Sequence, residues 1–159
     1  MKQIKYFKIS EKINLFLVIL FIFCFNNLSI SQNKNDTLKK GLLTVVIVGL
    51  ENSRGDIQIG LFSSEESYKG KKEKYKGAIV KIKDRKAKWI VDSVPYGFYA
   101  IKAFHDENSD DKINANFIGM PIESYGFSNN VTSLWGMPGF NVAKFQINTS
   151  ATKIEINLK

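Results

Sequence analysis

Apolar and polar positions alternate with a period of two along most of the chain. Leu42 to Leu50 is β-branched and apolar on both faces, which predicts a central strand. Asn52 to Gly55 reads as a turn, and Asp56 to Phe62 follows with Ile57, Ile59 and Leu61 on one face. Ser63 to Lys76 is a charged connection with a short helical turn at Glu65 to Tyr68. Ala78, Val80 and Ile82 alternate with lysines, Asp84-Arg85-Lys86 turns the chain, and Ala87, Trp89 and Val91 alternate again. Pro95-Tyr96-Gly97 is a second turn: Pro presets its backbone and Gly permits positive φ. Tyr99, Ile101 and Ala103 carry the pattern to Asp106. After a long irregular stretch, Ala143, Phe145 and Ile147 predict one strand, and Ile154, Ile156 and Leu158 the last.

The reading is all-β: about seven short strands and no long helical period, an antiparallel Ig-like or prealbumin-like sandwich. Tyr99, Ile101, Trp89, Val91, Ile59 and Phe145 are the expected core.

The N-terminus breaks the pattern. Lys2, Lys5, Lys8 and Lys12 precede an apolar run from Ile13 to Phe25, interrupted by Asn14, and Ser29-Ile30-Ser31 follows. Charge, short apolar stretch and small-x-small is the order of a secretory signal peptide. The run is shorter than the roughly 20 residues of a membrane span. Residues 1–31 are therefore expected to be cleaved, residues 32–40 to form a disordered leader, and residues 41–159 to be the domain, with no transmembrane segment left. The expected location is periplasmic, cell-envelope or extracellular. Cleavage removes Glu11 and four lysines and lowers the net charge from +8 to +5. It also removes Cys24, the one cysteine, which excludes disulfides, thiol catalysis and Cys-ligated metal from the mature chain.

Charge is uneven. Residues 69–88 hold ten Lys or Arg against Glu73 and Asp84. They read as a solvated hairpin, or as a patch for an anionic glycan or membrane surface. No aromatic stacking pattern accompanies them, so nucleic acid is not expected.

Candidate chemistry sits after the strand ending at His105. Asp106, Asn108 and Asp110 fall at i, i+2 and i+4, a spacing that turns three oxygen-bearing side chains toward one point, as a hard cation such as Ca²⁺ needs. Lys112 could add a carbonyl and Asn114 an oxygen. The position that usually holds Gly is Asp111, and a bidentate Glu is missing unless Glu123 supplies it, so any Ca²⁺ site would be weak. The alternative is an Asx-rich turn with no metal. Residues 117–140 are crowded with apolar and aromatic side chains. They predict either a second small core over one end of the sandwich or a carbohydrate-binding surface on which Tyr125 or Trp135 stacks. His105 is the single histidine, and strand alternation points it away from Asp106. No catalytic constellation forms, so an enzyme is not expected.

The run His105-Asp106-Glu107-Asn108, Lys112, and Asn116-Phe117-Ile118-Gly119-Met120-Pro121-Ile122-Glu123-Ser124-Tyr125-Gly126-Phe127-Ser128-Asn129-Asn130 resembles the exported bacterial family DUF2141. Gly49-Leu50, Gly55, Ile59-Gly60-Leu61-Phe62 and the Pro-Tyr-Gly-Phe-Tyr turn resemble it too, over about residues 41–158. That turn is also similar to those of transthyretin-like and collagen-binding B-type modules. The family resemblance implies a signal peptide and a β-sandwich, and no particular activity. Family members usually have Gly where this chain has Asp111. The expected function is a non-catalytic cell-envelope or secreted interaction module, calcium-stabilised if the loop holds its ion, with a glycan or envelope protein as partner. The alternative is a carbohydrate-binding accessory domain.

Overall fold

The computed structural model describes residues 38–133 and 136–159. The expected signal peptide, most of the leader and Trp135 lie outside them. Among the described residues no helix is long and apolar enough to cross a membrane.

Strands β1 (Lys40–Val48), β2 (Asp56–Phe62), β3 (Lys76–Lys81), β4 (Ala87–Pro95), β5 (Gly97–Asp106), β6 (Tyr125–Phe127), β7 (Phe145–Ile147) and β8 (Ala151–Asn157) form two sheets. One has the order β4-β1-β8. The other has the order β3-β2-β5-β6, with β7 also paired to β5. Helix α1 (Glu65–Tyr68) lies where the sequence placed it. Ser64 caps it by accepting from the Ser67 N–H.

The period-two side chains fill the space between the sheets. Leu43, Val45 and Ile47 of β1, Ile57, Ile59 and Leu61 of β2, Trp89 and Val91 of β4, Tyr99 and Ile101 of β5, and Phe145 all belong to one buried cluster. The six expected core residues are among them. The Tyr99 hydroxyl donates to the Pro95 carbonyl at 3.0 Å and ties the β4–β5 turn to the strand it opens.

Four details differ from the sequence reading. The described strands number eight, because Tyr125–Phe127 pairs with Lys102–Phe104. Ala143 ends a one-turn helix, α2 (Phe140–Ala143), instead of opening a strand. The positive φ near the β4–β5 turn belongs to Ser93, not Gly97. The sheets are not wholly antiparallel, since β8 runs parallel to β1. The chain leaves β7 at the end where β1 begins and crosses directly to the other sheet, with Leu42 N–H bonded to the Ser150 carbonyl at 2.8 Å. Gly41 permits the crossing: a Cβ there would lie 2.4 Å from the Thr149 carbonyl oxygen.

The outer face of the larger sheet is covered at one end only. Tyr68, Ala100, Phe127, Phe140 and Ala143 form a second buried cluster. Ser128 bridges the gap between β6 and β7, accepting from Ile101 N–H at 2.9 Å and donating to the Ala143 carbonyl. At the other end β5 runs on into the loop that carries the candidate residues.

Candidate functional site

Antiparallel register sets the floor of the site. Asp56 at the start of β2 lies opposite Asp106 on β5 and opposite Lys81 on β3. Two carboxylates side by side on a strand pair repel. Lys81 Nζ offsets this at 2.8 Å from Asp56 Oδ1, and Ser109 donates to Asp56 Oδ2 at 3.3 Å. Gly55 has φ +63 and sits hard against Asp106: a Cβ there would be 1.9 Å from its carbonyl oxygen.

Asp106 is fully buried, yet its carboxylate is well satisfied. Oδ1 accepts from Asp110 N–H at 3.1 Å. Oδ2 accepts from Asp111 N–H at 2.9 Å and from the Gln58 amide at 3.3 Å. Positive φ at Ser109 and Asp111 winds the chain around it. Asp110 organises the outside of the turn, accepting from the Asn108 amide at 2.9 Å and from Lys112 N–H at 2.9 Å. The Asn108 amide, first, and the Lys112 N–H hold the Asp110 carboxyl below its ordinary value. The buried Glu123 clamps the two ends of the turn, accepting from Glu107 N–H at 3.0 Å and Asn114 N–H at 2.8 Å. The Asn114 amide nitrogen faces both Glu123 oxygens at 3.1 Å in the orientation that satisfies it. Glu107 pairs with Arg54 at 2.7 Å, and the Asn52 amide, first, with Arg54 adding to it, holds its carboxyl below the ordinary value against an opposing push from burial.

Asp106, Asn108, Asp110, Lys112 and Asn114 thus do meet in one turn. Asp106 and Asp110 face N–H donors, Lys112 contributes an N–H to Asp110, and Asn108 presents its amide nitrogen. Among the described residues no group of three or more His, Cys, Asp or Glu is arranged to hold a metal ion. Asp56, Gln58 and Lys81 belong to the same cluster, but their approach depends on strand register, which no local spacing encodes.

His105 points away from Asp106, into the space between the sheets. It is buried, and its Nε2 donates to the Arg54 carbonyl at 2.7 Å.

Beyond the acidic turn, residues 114–122 fold back on themselves. Ala115 bridges Pro121, Asn116 N–H bonds to the Met120 carbonyl at 2.8 Å, and Ile122 N–H bonds to the Asn114 carbonyl at 2.9 Å. The Asn116 side chain accepts from Ile118 N–H and Met120 N–H at 3.1 and 3.0 Å. This prong is internally bonded, yet its side chains are in water: Phe117 is 99% exposed, Ile118 64%, Met120 59% and Ile122 67%. The second-core expectation therefore holds for Phe127 and Phe140 and fails for Phe117, Ile118 and Met120. At the base of the prong, Ile113 and Pro121 form a groove of about 320 Å³ with Phe104, Tyr125, Phe127 and Met137. Tyr125, the expected sugar platform, is 38% exposed and also lines a smaller cleft of about 200 Å³ with Asn130, Thr132, Asn157 and Lys159.

The class is thus a small two-sheet β protein with an apolar prong and groove at one end. Its sequence matches the family described as "Uncharacterized protein conserved in bacteria (DUF2141)" over residues 45–155, well over half the chain, and the protein belongs to that family. Neither a curated protein nor a solved structure matches it.

Proposed function

We propose that this protein is a non-catalytic interaction module that works outside the cytoplasm and engages its partner through the prong of residues 114–122 and the groove beside it. The carrying observation is the contrast within the prong: a hydrogen-bonded backbone holding four bulky apolar side chains in solvent. Contiguous exposed apolar surface marks an interaction site more often than chance exposure does. Burial of His105 against a backbone carbonyl supports the non-catalytic part. The residue order of the first 31 positions supports export. A photo-crosslinking amino acid at position 117, in the native producing cell, tests the reading. Adducts are expected from position 117 and not from position 79, where Ile79 is also exposed but lies on a lysine-rich edge strand. A position 117 that yields no adduct would sink it.

A glycan is the second reading, favoured by Tyr125 standing beside the more polar cleft. Binding to a glycan array that is lost in Tyr125→Ala, and kept in Phe117→Ser, would support it.

A further inference from the structure

We infer that the partner of this face is a second copy of the same chain, each copy seating its prong in the groove of the other. The inference rests on the interaction-module reading and names its occupant.

The prong is convex and apolar, and the groove is concave and apolar. They are neighbours, since the groove wall contains Ile113, which precedes the prong's first rung, and Pro121, which belongs to its second. A surface that carries both halves of a contact side by side is self-complementary. A two-fold axis then satisfies both contacts at once and closes the assembly at two copies. The extent suffices. Each large apolar side chain covers on the order of 100 Å² when buried. Four per prong, on two prongs, amount to roughly 800 Å², and the lining of the two grooves brings the total to about the ~1,000 Å² a biological interface needs.

A bilayer fits less well. It would leave the groove unused, and it would bring the exposed Asp110 and Asp111, at the base of the prong, toward lipid headgroups. A rigid prong also suits a preformed groove. Residues 116–120 are already held by backbone bonds and by Asn116, so little order remains to be imposed on binding.

Sedimentation of the protein purified from native cells, from about 1 to 200 µM, reads the association directly. A monomer–dimer equilibrium is expected, weakened at least tenfold by Phe117→Ser on the prong and also by Met137→Glu in the groove. Both residues are exposed, so the fold should survive both changes, and circular dichroism checks this. Ile79→Ser is expected to leave association unchanged. The crosslinker at position 117 should give a product of twice the chain mass, joined to peptides bearing Tyr125 or Met137. A monomer throughout the range, or a dimer indifferent to both substitutions, overturns the inference. A monomer that floats with phosphatidylcholine vesicles and stops floating in Phe117→Ser also overturns it, while leaving the interaction-module reading in place. A monomer whose position 117 gives no adduct in cells ends both.

Discussion

The acidic turn and the apolar prong are consecutive stretches of one loop, and they are opposite in what they lack. In the turn the buried carboxylates of Asp106 and Glu123 are aimed at backbone N–H groups, and Asp110 at its neighbours. In the prong the backbone is paired, and the large apolar side chains are mostly exposed. A polar segment that satisfies itself needs no partner. An apolar segment that cannot bury itself does. On the function proposed above, Phe117 and its neighbours carry the contact with the partner.

The largest expected effect separates the two stretches by stability. Asp106→Ala leaves the part-buried bonds from the Asp110 and Asp111 N–H groups without their acceptor, each worth about 1–3 kcal/mol. Denaturant unfolding should show a loss of about 3 kcal/mol, with Asp106→Asn losing about half, because one acceptor oxygen remains. A loss below about 0.5 kcal/mol in Asp106→Ala would mean that the turn does not depend on this carboxylate.

The next effect is on pH dependence. Glu107 and Asp110 are held below their ordinary values of 4.5 and 3.8. Folded carboxyls with depressed pKa bind fewer protons than the unfolded chain near those values. Their contribution is full above about pH 4.5 and is lost as pH falls through the folded values. Thermal melting between pH 7 and 3 should be flat at first and then fall below about 4.5. An NMR titration of Glu107 in Asn52→Ala should move back toward 4.5. If Glu107 already titrates at its ordinary value in the wild type, the Asn52 contact is not formed in solution.

A smaller effect is expected on the prong. Phe117→Ser removes a side chain that touches almost nothing in its own chain, so unfolding should change by no more than about 0.5 kcal/mol under dilute conditions. Ile101→Ala, in the core, should cost about 2–5 kcal/mol. Comparable losses would show that the prong is packed after all.

Much of the sandwich was legible because period two is a local signal: Leu43, Val45, Ile47, Ile57, Ile59 and Leu61 announce their own faces. The direction of β8 was not, since alternation is the same read either way. The three residues of β6 owe their strand geometry to Lys102–Phe104 across the ladder, and the single turn of α2 has no side-chain cap to betray it. In the loop, Asp106, Asn108 and Asp110 share one turn, but Asn108 presents its amide nitrogen and the two carboxylates accept N–H groups. Spacing does not say whether an oxygen faces a cation or an N–H, and it could not foresee Asp56, whose approach depends on register. Composition alone leaves residues 117–140 open between a second core and a binding surface, because apolar residues serve both. Only tertiary structure shows that Phe117 is uncovered and that Ile118, Met120 and Ile122 stay mostly exposed.

The smallest expected effect is the response to calcium. A cation at the turn would need the oxygens of Asp106 and Asp110, but these already accept N–H groups, and Asn108 presents an amide nitrogen where a ligand would present oxygen. Binding would have to share those oxygens with the N–H groups they already accept and turn that amide over, for ligands that are mostly exposed. A site with a dissociation constant near 1 mM, in the weak extracellular range, would stabilise the fold in 10 mM Ca²⁺ by about 1.4 kcal/mol through mass action. For a domain of this size that corresponds to a rise of roughly 4–6 °C in melting temperature. The expected result is a shift below about 1 °C between EDTA and 10 mM Ca²⁺. Magnesium at the same concentration controls for ionic strength, which alone will screen the crowded carboxylates slightly. A calcium-specific rise of several degrees that disappears in Asp106→Asn would reverse the comparison, making the turn a ligand site and the prong its neighbour.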